Sequence, residues 1–122
     1  MGKGGFRGLK VWQRAKALAV DVYAAVKSSP ELAKDFGLRD QMQRAAVSVC
    51  SNIAEGDERD TDKDAVRFFY IAKGSVAELI TQLEIAKDAQ LIELSRADAL
   101  IKEAEEIGSM LGALIKARAA CL

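Results

Sequence analysis

The sequence predicts an all-α fold, an antiparallel up-down-up-down four-helix bundle that assembles into a homo-oligomer. Apolar residues recur at helical spacing over four long segments, the pattern of a helix with one buried face. The chain has a single proline, Pro30, so these segments run without a helix-breaking residue. Short connections between them favour antiparallel neighbours. A chain of 122 residues fits one domain. We predict a flexible N-terminal tail at residues 1–8 and the bundle domain at residues 9–119.

The first two long helices are predicted before and after Pro30. The first covers residues 9–28, because proline disfavours helix in the residue before it. Residues 31–36 are predicted to form a helical turn, and Gly37 to permit a sharp change of direction. The second long helix covers residues 38–55, with Gly56 ending it and residues 57–60 forming a solvated loop. Two apolar rows run along the first helix: Leu9, Trp12, Ala19, Tyr23 and Val26, and Val11, Leu18 and Val22.

The third long helix is predicted at residues 62–90, and the fourth begins after Ser95 and runs to about residue 118. Thr61 can cap the third helix with Asp64 three residues on, and the Ser95 hydroxyl is predicted to cap the fourth. Gly74, inside the third helix, predicts the close approach of a neighbouring backbone. The buried stripe of the third helix is Ala65, Phe68, Phe69, Ala72, Val76, Leu79, Leu83 and Ala86.

The apolar faces are broader than one bundle requires. A monomeric bundle helix needs about three apolar positions in seven, yet the third helix adds Val66, Ile71 and Ile80 outside its main stripe. Surplus apolar surface of this kind indicates a protein interface, and a closed homo-oligomer is the economical way to cover it. An alternative is two long helical hairpins that complete their core only on dimerisation.

Composition argues against catalysis and against a metal centre. Histidine is absent, which removes the usual general base and the commonest zinc ligand. Cys50 and Cys121 are isolated thiols without metal-ligand spacing, and they indicate a reducing, cytoplasmic location. No apolar run approaches the roughly 20 residues of a membrane span. We therefore predict a soluble, non-enzymatic protein with no cofactor, no small-molecule substrate and no membrane contact.

Polar residues form a seam on each of the two central helices. Ser48, Asn52 and Glu55 recur at helical spacing on the second, and Ser75, Glu78 and Gln82 do so on the third. We predict that the two seams meet in a hydrogen-bonded network that fixes helix register or subunit packing. The alternative is a small-ligand or metal site at Glu55 and Glu78. Di-iron bundles use Glu-x-x-His motifs, so the lack of histidine opposes that alternative.

Positive charge is concentrated in the first third of the chain. Residues 1–44 carry nine Lys and Arg against four acids, a net of +5, and residues 45–122 carry nine against fourteen, a net of −5. One interpretation is an RNA or DNA surface in which Trp12 and Phe6 offer stacking faces. The other is that Trp12 anchors the core and the basic side chains pair with the acidic part. The candidate basic residues are Arg7, Lys10, Arg14, Arg39 and Arg44.

Three collinear segments carry a family resemblance: FRGLKVWQ at residues 6–13, RAAVSVCSNIAEG at residues 44–56 and RFFYIAKGSVAEL at residues 67–79. They resemble the 23S ribosomal-RNA intervening-sequence protein family. The resemblance implies an antiparallel four-helix bundle that assembles into a ring, commonly a pentamer. A related branch, the accessory proteins of diversity-generating retroelements, binds nucleic acid with a basic surface. Cys50 stands where the family usually has proline, which predicts a straighter second helix.

The function predicted from all of this is a homo-oligomeric, pentameric helical scaffold or assembly protein whose partner is itself. The alternative is an RNA- or DNA-binding accessory protein that uses a basic face repeated around the ring. The whole-chain pI of 6.3 is low for a nucleic-acid binder, for which a basic domain is expected.

Overall fold

The structure is a computed structural model that describes residues 5–122, and this part of the chain is all-α, without a strand. A short 3-10 helix, Gly5–Gly8, precedes α1 (Lys10–Lys27), α2 (Pro30–Lys34), α3 (Phe36–Asp57), α4 (Asp62–Asp88) and α5 (Leu94–Ala119). Half of the predicted tail, residues 1–4, lies outside the described residues. The other half is the 3-10 helix, which packs against α1 and α3.

The four long helices enclose one core. Helix α1 packs against α3 and α5, and α4 likewise packs against α3 and α5, so each long helix has two long neighbours. The short helix α2 closes the gap between α1 and α3. This arrangement is the one expected of a four-helix bundle. The largest fully buried side chains include Phe69, Leu18, Leu32, Met42, Ile53 and Leu79.

The connection between α1 and α3 differs from the prediction in where the chain turns. Pro30 occupies the first turn of α2, where its missing N–H costs nothing. Helix α3 then begins at Phe36, and the Asp35 carboxylate accepts a hydrogen bond from the Leu38 backbone N–H at 3.2 Å. The prediction of a sharp turn at Gly37 is therefore wrong, because Gly37 already lies inside the first turn of α3.

The two predicted serine and threonine caps have different outcomes. Thr61 caps α4, since its Oγ1 accepts a hydrogen bond from the Asp64 N–H at 3.2 Å, which confirms the prediction. Ser95 does not cap α5, because the helix begins one residue earlier, at Leu94. The Ser95 hydroxyl instead donates to the Glu93 carboxylate at 2.6 Å.

Two glycines do not have the roles predicted for them. Gly56 does not end α3, which continues to Asp57, and it is buried against α4. A Cβ added at Gly56 would lie 2.7 Å from Cε1 of the Phe69 ring. A Cβ at Gly74 would meet nothing within 4 Å, so the predicted close approach at Gly74 is wrong. The close approach is at Gly56 because the fully buried ring of α4 faces it.

The predicted core stripes are largely confirmed. In α4 every predicted stripe residue is buried except Phe68, which is half-buried. Tyr23 of α1 was predicted inside and is 41% exposed. Of the three surplus residues in α4, Val66 and Ile80 pack partly against the core, whereas Ile71 is exposed. None of the helices in residues 5–122 combines the length and apolar character that a bilayer span requires.

We predict that Gly56→Ala lowers the free energy of unfolding by about 1–3 kcal/mol, because the new methyl group overlaps a ring that is fully buried. Gly37→Ala is the matched control. Its Cβ meets nothing within 4 Å, and we expect it to raise the free energy by up to about 1 kcal/mol. Urea denaturation of both variants measures the difference, and equal stabilisation by both would contradict the packing at Gly56.

Candidate functional site

The polar seams of α3 and α4 meet at two serines. Ser48 Oγ and Ser75 Oγ are 2.8 Å apart, and the Ser75 side chain is buried. Asn52 Nδ2 donates to the Ser48 carbonyl oxygen at 2.9 Å and to Ser48 Oγ at 3.0 Å. Ser75 Oγ in turn donates to the Ile71 carbonyl oxygen at 3.3 Å. These contacts form a directional chain from the Asn52 amide through both hydroxyls to the Ile71 carbonyl, in which each hydroxyl accepts one hydrogen bond and donates one.

The other three seam residues lie outside this chain of bonds. Glu55 is exposed, and its carboxylate accepts from Arg59 at 2.8 Å instead of facing α4. Glu78 and Gln82 line a shallow groove between α3 and α4 that also contains Gln41 and Arg44. The Gln82 Oε1 atom is buried without a hydrogen-bond partner among residues 5–122. The predicted six-residue network is therefore three residues long.

The geometry does not bring Glu55 and Glu78 into a shared site. Within the described part of the chain, no cluster of three or more Cys, Asp or Glu side chains is arranged to hold a metal ion. Nearby Cys50 is half-buried, and burial raises the pKa of its thiol. Helix α3 continues through Cys50 without a break.

Arg14 joins α1 to α5. Its guanidinium contacts both oxygens of Glu103, at 2.6 and 3.0 Å, and one oxygen of Glu106 at 2.7 Å. Hydrogen bonding to these two carboxylates raises the pKa of Arg14, and the same contact lowers the pKa of Glu106. At this residue the structure favours pairing with the acidic part of the chain over contact with a nucleic acid.

Arg39 is also held by its own surroundings. It donates to the Ala33 carbonyl oxygen at 2.9 Å, pairs with Asp40 at 3.2 Å and lies 4.6 Å above the centre of the Phe36 ring. These contacts tie the start of α3 to α2. Like Arg14, Arg39 has a structural partner for its charge.

The remaining basic residues do not form one patch. Lys10 begins α1, and Arg7 lies just before it in the 3-10 helix, with its guanidinium 4.8 Å from the centre of the Phe6 ring. Arg44 lies beside Tyr23 in a groove between α1 and α3. Lys10 and Tyr23 are thirteen residues apart on one helix, which corresponds to roughly 20 Å. The predicted constellation is therefore split between the two ends of α1.

Sequence reasoning missed a buried acid at the end of the bundle. Asp57, predicted in a solvated loop, is 4% exposed because α3 continues through it. Its Oδ1 lies 3.9 Å from Arg118 Nη1, and Arg118 Nε donates to Asp62 at 2.8 Å. Asp57 Oδ2 has no hydrogen-bond partner among residues 5–122. The sequence gives no sign of this cluster, because four consecutive charged residues normally indicate a solvated loop.

The family of the chain follows from its sequence profile. The profile of the family described as 23S rRNA-intervening sequence protein matches residues 7–113. The chain belongs to this family. The match runs from the 3-10 helix into α5 and includes both polar seams, so the Ser48–Ser75 contact lies within the matched residues.

A solved structure has the same fold. The crystal structure of a protein of unknown function from the S23 ribosomal protein family of Bacteroides thetaiotaomicron superposes with a TM-score of 0.82. The two sequences are 23% identical, and the match covers 87% of this chain and 98% of the other. Among functionally curated proteins, none matches. These comparisons establish the family and the fold of this intervening-sequence protein, and they assign it no activity.

We predict that Ser75→Ala lowers the free energy of unfolding by about 1 kcal/mol, because it leaves the Ser48 hydroxyl without its cross-helix partner. The double variant S48A/S75A is expected to cost less than the sum of the single variants, since both partners are then removed. Thr81→Ala is the control. Its exposed hydroxyl contacts only the Ala77 carbonyl of its own helix, and we expect a change below about 0.5 kcal/mol. Strict additivity would show that the serine contact is not formed.

We predict that Glu106→Gln weakens the acid sensitivity of the fold. Folding lowers the pKa of Glu106 from about 4.5, so its contribution to stability is present above that value and is lost as the pH falls through the lowered pKa. The free energy of unfolding should therefore fall less between about pH 7 and about pH 3 in the variant than in the wild type. Glu58→Gln, at an exposed site, should leave this difference unchanged. An identical loss in the wild type and both variants would contradict the Arg14–Glu106 contact.

Proposed function

We propose that this intervening-sequence protein is a non-enzymatic subunit of a homo-oligomeric helical scaffold. The observation that supports it is the number of large apolar side chains left outside the core. Val20 and Tyr70 are each 59% exposed, and Ile85 is 51% exposed. These residues lie on α1 and α4, which are not neighbours in the bundle, so the exposed apolar surface faces more than one direction. Association of copies would cover it.

The helix contacts support an up-down-up-down course for the four long helices. Asp62 at the start of α4 pairs with Arg118 near the end of α5 at 2.8 Å. Lys87 at the end of α4 pairs with Asp98 near the start of α5, also at 2.8 Å. Helices α4 and α5 thus meet start to end at both termini, as antiparallel neighbours do. The connections between α1 and α3 and between α3 and α4 are short enough for these helices to be antiparallel neighbours as well.

Assembly into a ring completes the proposal. A pentamer is the subunit number that the family resemblance implies.

The polar chain at Ser48 and Ser75 lies between helices of one copy, which supports a structural role for it. The two free thiols, Cys50 and Cys121, support a reducing, cytoplasmic location.

Sedimentation velocity tests the scaffold directly. At micromolar concentration we expect a single species whose mass is five times 13.2 kDa. A discrete species of another subunit number would retain the scaffold and reject the pentamer. A folded species of 13.2 kDa alone would reject both.

The second candidate function is RNA or DNA binding, and one observation favours it. Lys10 and Arg44 are exposed and form no ion pair with any residue in the described range, so their charges are free to meet phosphates. A ring would repeat both positions around its axis, and multiple weak contacts then add through avidity. This candidate also draws on the nucleic-acid binding of the retroelement branch named above.

Salt dependence measures this candidate. If phosphates are contacted, the affinity for mixed RNA should fall linearly with salt on logarithmic axes, and K10Q and R44Q should each reduce the slope by about 1. Arg59→Gln is the control, because Arg59 is already paired with Glu55 and should leave the slope unchanged. No binding at low salt would reject the candidate.

A further inference from the structure

We propose that one copy of the chain docks its α1 face into the groove between α4 and α5 of the next copy. The occupant of the groove is thus a second copy of the same chain. This inference rests on the self-assembly proposed above and specifies the two surfaces that form it. The two surfaces are different, so the contact is heterologous and can continue around a ring.

The receiving surface is an open apolar groove of about 360 Å³ between α4 and α5. Val76, Ala77 and Ile80 line it from α4, and Gly108 and Gly112 line it from α5. Lys73 and Glu105 flank it with opposite charges. Tyr70, largely exposed, lies one helical turn before Lys73 and two turns before Ala77 on α4, where it extends the apolar side of the groove.

The two glycines of the groove are not explained by packing within one copy. A Cβ at Gly108 would lie 3.4 Å from Val76 Cγ1, and a Cβ at Gly112 would lie 3.7 Å from Lys73 Nζ, both ordinary contacts. Alanine would therefore fit at either position, and alanine is the better helix former of the two residue types. Close approach of a helix from outside accounts for glycine at these two sites.

The docking surface is the outer side of α1. Trp12, Lys16, Val20 and Asp21 lie there, around a shallow apolar depression of about 350 Å³. Val20 is the most exposed large apolar side chain of α1. Helix α1 packs against α3 and α5 and lies diagonally across the bundle from α4, so this surface and the groove face different directions. One copy can therefore use both at once.

The charges on the two surfaces are complementary. Lys16 and Asp21 lie on the α1 face about 7.5 Å apart along the helix. In the groove, Lys73 lies next to Gly112, and Glu105 is seven residues earlier on α5, roughly 10 Å away. An α1 helix running in the same direction as α5 would place Lys16 beside Glu105 and Asp21 beside Lys73. None of the four side chains has an ion pair with another residue in the range 5–122.

Two blocking variants test the contact. Val20→Glu places a charge on the α1 face and leaves the groove intact, whereas Gly112→Gln fills the groove and leaves the α1 face intact. We expect each variant alone to sediment as a folded monomer. Mixed in equal amounts, they should form a 1:1 heterodimer and nothing larger, because only one pair of intact surfaces remains between them.

Charge exchange provides a second experiment, which changes only exposed side chains. K16E and E105K should each weaken assembly about tenfold, and the double variant K16E/E105K should restore it, since the pair is re-formed with the charges exchanged. Circular dichroism verifies that each variant is folded.

The outcomes separate this inference from the proposed function. If the wild type associates while V20E, G112Q and both charge variants keep its mass, the surfaces named here are wrong and the scaffold stands. The surfaces are also wrong if one blocking variant associates fully on its own, since that indicates an isologous contact. If the wild type is a monomer, the scaffold and this contact are both rejected.

Discussion

The structure depends on burying one apolar stripe from each of four long helices with very few large side chains to fill the space between them. Among residues 5–122, Phe69 is the only aromatic residue that is fully buried, and alanines such as Ala15, Ala72 and Ala104 have no exposed surface at all. Small side chains let helices approach closely. Where a large side chain lies between two such helices, the facing residue must be small. That is why the single buried ring of α4 requires a glycine, Gly56, on α3.

Several polar contacts in this protein join two neighbouring helices and fix their relative position. The Ser48–Ser75 contact joins α3 to α4, Arg14 joins α1 to α5 through Glu103, and Arg118 joins α5 to the start of α4. Each exposed ion pair contributes little to the free energy of unfolding, and its main effect is to orient the two helices that it joins. The polar seam of α3 is in the same way part of the packing between α3 and α4.

Much of the fold could be predicted from the sequence, because helical periodicity reports burial directly. The four long helices and the Thr61 cap depend on local patterns, and the structure has them. The errors concern what a local pattern cannot show. Gly37, Gly74 and Ser95 have residue types that suit turns, close approaches and caps, but tertiary packing placed the turn, the close approach and the helix start at neighbouring or distant residues.

The candidate site was less predictable for the same reason. Spacing puts Ser48, Asn52 and Glu55 on one side of a helix. Which of them face α4 depends on the rotation of α3 about its axis by a fraction of a turn, and Glu55 pairs with Arg59 of its own chain segment instead. The basic residues were grouped mainly by charge. The antiparallel course proposed for α1 and α3 accounts for the position of Arg44 near the end of α1, far from Arg7 and Lys10. The likeness to a solved structure confirms the fold, and membership of the intervening-sequence family leaves the role of these positions to experiment.

If copies cover the exposed apolar faces of one another, association must stabilise the fold. The direct measurement is the thermal midpoint of the wild type as a function of protein concentration, because anything that binds only the native state raises that midpoint by mass action. Self-association predicts a midpoint that rises steadily over a roughly hundredfold increase in concentration. A midpoint that stays constant over that range, with reversible unfolding, would contradict it.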